Sequence, residues 1–407
     1  MSTIRKIKNT GHLAAAVTAS IYNRFPGKGL NIIGVTGTDG KTTTANLIYH
    51  ILQTAGKKAA VISTIGAVID GQTYETGFHV TTPSPFAIQK YIRLAKKKGC
   101  TYIVLEVTSH ALDQNRVWGV KFQIGVLTNI THEHLDYHKD YKTYINTKLK
   151  LLQKSDLAII NSNGTWFEEA QKVIPKSRIM SYSLHGNNND DLSMINLPFQ
   201  IKTSLIGDFN LENIIAATAA ASALGIDALT IDSAIQSFEA PNGRQEVMGN
   251  ANGPFVMVDF AHTANSFENI LPEIRKRTVG RLIHVFGAAG LRDRGKRPEM
   301  GKVASFYDDI IILTAEDPRS EKIIDINRQV KDGISNEFIN AGEETITEGK
   351  TVYEIDDRKK AIKFALSIAT SKDTVIITGK GHERSINYGN GEEAWSDQGV
   401  VREWLRG

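Results

Sequence analysis

The sequence predicts an α/β protein: a central P-loop ATPase-like parallel-sheet domain followed by a smaller Rossmann-like α/β domain. Three observations predict it. Apolar, β-branched runs alternate with helix-length segments along most of the chain, as in a parallel sheet. One of these runs, Ile32-Ile33-Gly34-Val35, opens into the glycine-rich turn Thr36-Gly37-Thr38-Asp39-Gly40-Lys41-Thr42-Thr43-Thr44 at a helix start. The alternation then restarts at Phe255, after a Pro/Gly turn at 239–244 that reads as a linker. With 407 residues the chain exceeds one ordinary core. Its expected division is 1–30, a short basic helical extension; 31–245, a nucleotide-binding domain; and 246–407, a C-terminal domain.

Composition excludes several classes. Apolar residues make up 41% and charged residues 23%, as in an ordinary globular protein. Cys100 is the one cysteine, so no internal disulfide and no cysteine-based metal site can form, which fits a reducing cytoplasm. No apolar run approaches the ~18 residues of a membrane span. The net charge of +4 is unevenly placed. Residues 1–30 hold Arg5, Lys6, Lys8, Arg24 and Lys28 and no acid, leaving 43 basic against 44 acidic residues elsewhere. A neutral body argues against nucleic acid as a partner. The basic segment has two readings: a short helix packed on the next domain, or an amphipathic patch resting on anionic lipid. It lacks a small-residue cleavage site, so it is not read as a signal peptide.

The elements follow in order. After the turn, residues 45–52 read as helix and 57–64 as a second strand. Residues 65–76 form a hairpin around Asp70-Gly71. Ser84 caps a helix with Pro85 at its first position, which runs to Lys96-Lys97-Lys98 and stops at Gly99. The lysine run reads as a solvated helix end that complements the dipole. Residues 102–107 form a buried strand with Glu106 near its C-terminal end, where parallel sheets bind ligands. A strand at 123–127 leads into Thr128-Asn129-Ile130-Thr131-His132-Glu133-His134-Leu135-Asp136-Tyr137-His138, a loop suited to metal or phosphate chemistry. A helix at 141–153 carries Lys148 and Lys150, a strand follows at 157–161, and 185–194 reads as a polar surface loop. Gly207-Asp208-Phe209-Asn210-Leu211-Glu212-Asn213 precedes an Ala-rich helix ending at Gly225. Strands at 255–259, 282–286, 310–314 and 374–378 follow. Each ends in a polar cluster: Asp259 to Thr263, Gly287 to Pro298, Glu316 to Arg319 and Gly379 to Glu383. No internal repeat is evident.

The glycine turn gives the first chemistry. Gly37 and Gly40 let backbone amides face an anion, and the helix dipole favours negative charge there. Lys41 would reach the outer phosphates and the Thr42 hydroxyl would sit on Mg2+. The candidate nucleotide contacts are Gly37, Thr38, Asp39, Gly40, Lys41, Thr42 and Thr43. The turn departs from the common P-loop in having Val35 where a glycine stands five residues before Gly40. A guanine signature is missing, so ATP is favoured over GTP. A second domain rich in Arg, Lys and His suggests a second substrate brought to the γ-phosphate, as in ATP-driven ligation through an acyl phosphate.

The chain resembles the Mur ligases, and within them the MurE-type ligases that extend a muramoyl dipeptide. The resemblance covers roughly 31–407. It rests on GVTGTDGKTTT at 34–44, TTP at 81–83, LEVTSHALDQNRV at 105–117, TNITHEHLDYH at 128–138 and GDFNLEN at 207–213. GRQEV at 243–247, DFAHT at 259–263, RDRGKRPEMG at 292–301, EDPR at 316–319 and GKGHE at 379–383 complete it. It implies ATP and Mg2+ as cofactors, with Lys41, Glu106, His134 and Lys148 as catalytic residues. Glu106 and His134 would hold a second Mg2+ beside Thr42. Lys148 falls at the family's carbamylated lysine, whose added carboxylate helps hold that metal where an ammonium would repel it. Thr81, Thr82, Thr108, Gln114 and Arg116 fall at muramoyl-peptide contacts. Asn213, Arg244 and the 292–297 run, Arg292 included, lie near ATP or the incoming amino acid.

Residues 246–407 would then bind the amino acid. Diaminopimelate-adding members carry Asp-Asn-Pro-Arg; this chain has Glu316-Asp317-Pro318-Arg319 and keeps the arginine. Arg319, Asp317, Gly379 and Glu383 mark the expected pocket, with meso-diaminopimelate favoured over lysine or another diamino acid. The resemblance also implies a cytoplasmic enzyme of peptidoglycan, cell-wall, cell-shape and cell-division biology, acting on muramoyl-peptide and amino-acid substrates. Family members usually place a uridine-binding domain of about a hundred residues before the phosphate loop. Only the basic segment stands there in this chain. The expected acceptor is therefore a muramoyl peptide whose nucleotide is weakly held, or a lipid-linked form approached through that segment. Alternatives are a pseudomurein or folylpolyglutamate-type ligase and a non-catalytic nucleotide-binding partner. A glutaminase-partnered relative would need four zinc-binding cysteines.

Overall fold

A computed structural model describes residues 3–76, 82–131, 135–186, 190–249, 253–342, 345 and 349–406. The chain divides into two compact units, Met1–Glu239 and Ala240–Gly407. Residues 1–30 lie inside the first unit, and Arg244 and Gln245 lie inside the second. Gln245 N donates to Asp259 Oδ2 at 2.8 Å, which ties the Pro/Gly turn to the second sheet.

Among the described residues the first unit is built on nine strands: β1 (Asn31–Thr36), β2 (Ala59–Ser63), β3 (Gly66–Ile69), β4 (Gln72–Tyr74), β5 (Tyr102–Glu106), β6 (Phe122–Leu127), β7 (Ser155–Asn161), β8 (Ile179–Ser183) and β9 (Leu192–Ser193). Their order is β4-β3-β2-β5-β1-β6-β7-β8-β9. Among the described strands β3 alone runs against the rest, antiparallel to both β2 and β4, and it joins β4 at Asp70-Gly71, where both φ angles are positive as a tight hairpin turn requires. β1 is central, pairing Val35 with Glu106 on β5 and Thr36 with Leu127 on β6. Both sheet faces are covered, so the inner strands are apolar throughout. Ile32, Ile62, Ile103 and Leu105 pack with Ile88 and Ile92 from the helix Pro85–Lys97. Leu127, Ala158 and Ile160 pack with Tyr144, Ile145, Leu149 and Leu152 from the helix Tyr141–Gln153.

Helix ends follow the local chemistry. Ser84 caps Pro85–Lys97 by accepting from Ala87 N at 3.3 Å, and Gly99 takes a positive φ of 82° just past its end. The helix Lys41–Thr54 begins at Lys41, four residues before the expected Ala45. The segment expected to precede the Ala-rich helix is its first two turns: the helix spans Asp208–Ala223, entered through Gly207 at φ 95°. That helix is buried on nearly all sides and packs on Lys41–Thr54. Leu192 and Ser193 form an edge strand inside the stretch expected as loop, because Asp191 Oδ2 accepts from Ser181 N at 2.7 Å and holds it against β8.

Among the described residues the second unit has seven strands in its main sheet: β10 (Glu246–Met248), β11 (Phe255–Val258), β12 (Leu282–Phe286), β13 (Ile310–Leu313), β14 (Ile339–Ala341), β15 (Thr351–Glu354) and β16 (Thr374–Ile377). The order is β10-β11-β16-β12-β13-β15-β14, with only β10 antiparallel. A separate hairpin joins β17 (Ser385–Asn387) to β18 (Glu392–Ala394). The core runs from Val256, Ile283, Ile312 and Val375 to Ala361, Ile362 and Val401 of the flanking helices. Arg358 and Asp397, both fully buried, pair at 2.7 Å; Arg358 also donates to Ala315 O and Thr378 O. A buried pair so fully hydrogen-bonded fixes where the last helix docks.

Candidate functional site

In the first unit the loops after β1, β5 and β6 meet at the carboxyl end of the sheet. Gly37 and Gly40 are needed there for space. A Cβ on Gly40 would stand 2.1 Å from Asn213 Oδ1, and one on Gly37 would stand 1.8 Å from Thr128 Oγ1. The turn is braced from β6. Thr38 N donates to Asn129 O at 2.9 Å, Asp39 N to Asn129 Oδ1 at 2.8 Å, and Thr128 Oγ1 to Asp39 O at 2.6 Å. The Thr38 hydroxyl accepts from Thr131 N at 3.0 Å and lies 3.1 Å from the Tyr144 hydroxyl. Lys41 Nζ donates to Thr38 O at 2.6 Å, folding its ammonium back over the turn.

Thr42 points toward β5. Its hydroxyl lies 3.1 and 3.0 Å from the two Glu106 oxygens, and Thr64, just past β2, gives Glu106 Oε2 both its N–H and its hydroxyl at 2.9 Å. Glu106 is buried. These are hard oxygen donors beside an anion-binding turn, a set that suits Mg2+ held jointly by protein and phosphate. Among the described residues no three His, Cys, Asp or Glu side chains cluster to hold a metal by themselves. Lys148 is 1% exposed, donates to Gly37 O at 2.6 Å and lies 4.5 Å from the centre of the Tyr144 ring. Thr43 is buried in the first helical turn. Asn213 Oδ1 accepts from Thr44 Oγ1 at 3.2 Å, and Asn213 Nδ2 donates to Asn210 Oδ1.

The expected acceptor contacts form a second group. The Thr82 hydroxyl donates to Glu106 O at 3.1 Å, is 3.2 Å from the Thr108 hydroxyl and accepts from Thr108 N at 3.0 Å. Arg116 donates to Thr82 O at 2.6 Å and to Gln114 Oε1 at 2.9 Å. Thr108 and Arg116 thus both meet at Thr82. Thr81 and His134 lie outside the described residues. His138, from the same loop, is fully buried and sits 3.0 Å from the Ser109 hydroxyl.

In the second unit the polar clusters follow β11, β16, β12 and β13, which are adjacent in that order. Hydrogen bonds join them. Lys296 Nζ donates to His262 O at 2.8 Å, Gly290 N to Asp317 O at 2.8 Å, and Arg319 to Gly290 O at 3.0 Å. Lys380 is fully buried and lies 2.9 Å from Asp317 Oδ1 and 2.6 Å from Glu383 Oε2. Asp317 Oδ1 also accepts from Asn387 N at 3.0 Å. Gly379, at φ 105°, leaves room for the Glu316 carboxyl, which a Cβ there would meet at 3.3 Å. Burial raises the pKa of Glu316 above the usual carboxylate range, against the pull of the Lys296 and Lys380 ammoniums. Burial, then the Lys296 charge, push His262 down to about 3. Arg244 stacks on Phe260 at 4.5 Å, and the His382 ring lies 4.7 Å from the same ring.

Two expected residues stand apart from this cluster in character. Arg292 is solvent-exposed. Arg297, in the same basic run, is fully buried and donates to Glu321, Gln329 and Ala289 O, so it fastens the loop. Sequence reading missed Thr64, which braces Glu106, and Lys380 as the partner of Asp317; it singled out the loop that begins at Thr128-Asn129 without the bracing these two give the turn. Thr64 carried a signal, since it lies just past the end of β2.

Comparison with known proteins agrees with this geometry. Residues 35–221 match the Mur ligase middle domain, and residues 243–381 match the family described as Mur ligase, glutamate ligase domain. The UDP-N-acetylmuramoyl-L-alanyl-D-glutamate--2,6-diaminopimelate ligase of Aquifex aeolicus (strain VF5) is 38% identical over 400 residues, covering 94% of this chain and 79% of that protein. The ligase of the same name from Syntrophomonas wolfei subsp. wolfei (strain DSM 2245B / Goettingen) is 36% identical, covering 100% of this chain and 84% of its own. A solved structure of a ligase of that name superposes with a TM-score of 0.63 at 30% identity, covering 93% of this chain and 79% of the other. The chain belongs to the Mur ligase family, on its MurE-type branch.

Proposed function

We propose that the chain is an ATP-dependent amide-bond ligase that adds meso-diaminopimelate to a muramoyl dipeptide in peptidoglycan precursor synthesis. The observation that carries this reading is the convergence of a phosphate turn, the Thr42–Glu106 oxygen cluster and the Thr82–Thr108–Arg116 group at one sheet end. The turn amides and Lys41 hold the triphosphate of ATP. Thr42 would hold one Mg2+ at the phosphates, and Glu106, His134 and a carbamylated Lys148 would hold a second. When bound, the metal neutralises phosphate charge. A dipeptide carboxylate oxygen attacks the γ-phosphorus, the bond to the ADP oxygen breaks, and an acyl phosphate forms. The amine then attacks the acyl carbon; phosphate leaves and the nitrogen sheds a proton. Thr82, Thr108, Gln114 and Arg116 orient the acceptor, and Asn213 and Arg244 lie at the nucleotide.

For Lys148, complete burial beside the phosphate turn supports carbamylation: a carbamate supplies an anion where Mg2+ is needed, and an ammonium does not. In the second unit, Arg319 keeps the bidentate donor that a distal carboxylate needs. Asp317, Gly379 and Glu383 complete that pocket, with the solvent-exposed Arg292 as a further contact to the incoming amino acid, and Lys380 offsets the charge that Asp317 brings. We place the enzyme in the cytoplasm, with its basic N-terminal segment as a point of contact with the membrane surface. No described helix is long and apolar enough to cross a membrane.

The test is acceptor-dependent ADP formation, with diaminopimelate, lysine and ornithine each offered to UDP-linked and lipid-linked muramoyl dipeptide, and the product identified by mass. Turnover with diaminopimelate above the other two confirms the reading. Absence of acceptor-dependent ADP with every pair refutes it. Lys148→Ala should abolish turnover, and added formate should restore part of it.

A further inference from the structure

The helix Thr3–Tyr22 packs on the helix Pro85–Lys97, and the pair leaves a surface that the ligase chemistry does not use. The C-terminal end of the first helix is anchored. Ala16, Ala19 and Ser20 are buried, and the Ser20 hydroxyl donates to Trp118 O at 3.0 Å and accepts from Gln89 at 3.1 Å. Residues 10–15 are exposed all round. Leu13, Val17 and Ile21 fall at i, i+4 and i+8, one stripe of the helix. Ile21 is 60% exposed and Tyr22 71%, with Phe25 and Phe86 also exposed. The Tyr22 and Phe86 rings stand 6.5 Å apart, which joins the apolar stripe of one helix to the other.

The charge around this apolar strip has one sign. Residues 1–30 hold Arg5, Lys6, Lys8, Arg24 and Lys28, and the helix Pro85–Lys97 holds Lys90, Arg93, Lys96 and Lys97; neither segment contains an acid. Phe86, Lys90, Arg93 and Lys97 fall at i, i+4, i+7 and i+11, and all are exposed. Lys96 Nζ donates to Lys28 O at 2.6 Å, which links the two basic segments. Of the two acids on and beside the adjoining hairpin, Asp70 is engaged by Lys98 at 3.4 Å, and Glu75 O accepts from the Tyr91 hydroxyl of this helix at 2.7 Å. A lysine run that serves only to complement a helix dipole needs neither an exposed aromatic at the other end of its helix nor a second acid-free helix beside it.

We propose that these two helices together form a docking face for an anionic lipid surface, with Ile21, Tyr22, Phe25 and Phe86 entering the headgroup region and the flanking Lys and Arg side chains contacting lipid phosphates. Exposed aliphatic and aromatic side chains between cationic ones fit a membrane interface. A nucleic acid would need the charge and would leave Leu13 and Ile21 in water. The proposal rests on the membrane contact placed above at the N-terminal segment and extends it to a second helix.

The experiment is sedimentation of the full chain with vesicles of pure phosphatidylcholine and with vesicles of equal parts phosphatidylcholine and phosphatidylglycerol. Binding should occur only to the anionic vesicles and be lost at about 1 M salt, where the Debye length falls to ~3 Å. The exposed triple variant Lys90→Glu/Arg93→Glu/Lys97→Glu should weaken binding at least about tenfold. Tyr22→Ser/Phe86→Ser should weaken it by a similar factor while leaving the charge untouched. ADP formation with soluble acceptor, unchanged in both variants, certifies their fold. If wild type binds and the triple variant binds equally well, the two-helix face is overturned while an N-terminal contact stands. If wild type does not sediment with anionic vesicles, both are overturned, and the ligase reading is judged separately by its own assay. Equal binding to both vesicle types, binding to single-stranded RNA without binding to vesicles, or a dimer in solution that Tyr22→Ser/Phe86→Ser dissolves would each overturn the proposal.

Discussion

Replacing Gly40 by alanine tests whether the phosphate turn is shaped by the helix behind it. Gly40 sits at φ 79°, and the left-handed region costs an L-residue about 1–2 kcal/mol. The new Cβ would also stand 2.1 Å from Asn213 Oδ1, a distance that no contact tolerates. Asn213, nearly fully buried, would have to swing away from Thr44 and Asn210. Each of those hydrogen bonds is worth about 1 kcal/mol net, so Gly40→Ala should cost roughly 3–4 kcal/mol. Asn213→Ala alone removes the same two bonds and should cost about 2 kcal/mol. In the double variant the clash is gone and only the backbone strain adds to the lost bonds. It should therefore cost about 3–4 kcal/mol, some 2 kcal/mol less than the sum of the singles. Because the two units need not unfold together, the readout is denaturant-dependent hydrogen exchange of the Lys41–Thr54 helix. ATP affinity should fall in Gly40→Ala and recover partly in the double variant. Simple additivity of the two substitutions would refute the argument that Asn213 dictates glycine at this position.

The remaining predictions concern the second unit. Although burial raises it, hydrogen bonds from Arg281 and Thr370 hold Asp373 down at about 2, below its ordinary 3.8. A depressed carboxylate stabilises the fold above the unfolded pKa and loses that contribution as pH falls through the folded one. Asp373→Asn should therefore cost about 2 kcal/mol at pH 7 and almost nothing near pH 2, measured as the gap between urea midpoints. Lys380→Met should cost about 3–5 kcal/mol, because the buried Asp317 and half-buried Glu383 would lose the ammonium between them; Asp317→Asn, which keeps an acceptor for Lys380 and Asn387, should cost only about 1 kcal/mol. Thermal unfolding ranks the two, and the amino-acid KM should rise in both. Glu106→Gln should lower kcat at least about a hundredfold while ATP still binds, checked by turnover against equilibrium titration.

The parts of the fold that were legible carried dense local patterns. β1, β5, β12 and β16 are short, mostly apolar runs rich in β-branched residues because both faces of their sheets are buried. The Asp70-Gly71 hairpin and the Ser84-Pro85 helix start were legible because only certain residues accept those backbone angles. The edge strands β9, β10 and β14 were not, since two or three residues at a sheet margin need no apolar run. Long-range partners were not legible either. Thr64 meets Glu106 across 42 residues and Lys380 meets Asp317 across 63, and nothing local in a lone Thr or Lys marks the other end. His134 and Thr81, singled out by motif, lie outside the described residues, so the sequence speaks for them alone.

Strand order explains how residues so far apart in the chain come to one place. β1 is flanked by β5 on one side and β6 on the other, so the chain leaves it in both directions and opens a crevice at its carboxyl end. Glu106 lies in that crevice because it pairs with Val35, one residue short of the strand's end, and the Thr128–Thr131 loop lies there because Leu127 pairs with Thr36. A slip of one residue in either pairing would turn Glu106 to the other face of the sheet or draw Asn129 away from the turn. The position of the turn therefore depends on a register set by buried Ile33, Val104 and Val126. The second sheet repeats the principle: β11, β16, β12 and β13 are neighbours in space though scattered in sequence, and each delivers one polar cluster to the same edge. In both units the candidate site residues stand at strand ends, on the flanking helices and in the loops between them, and the apolar strands decide which of these meet.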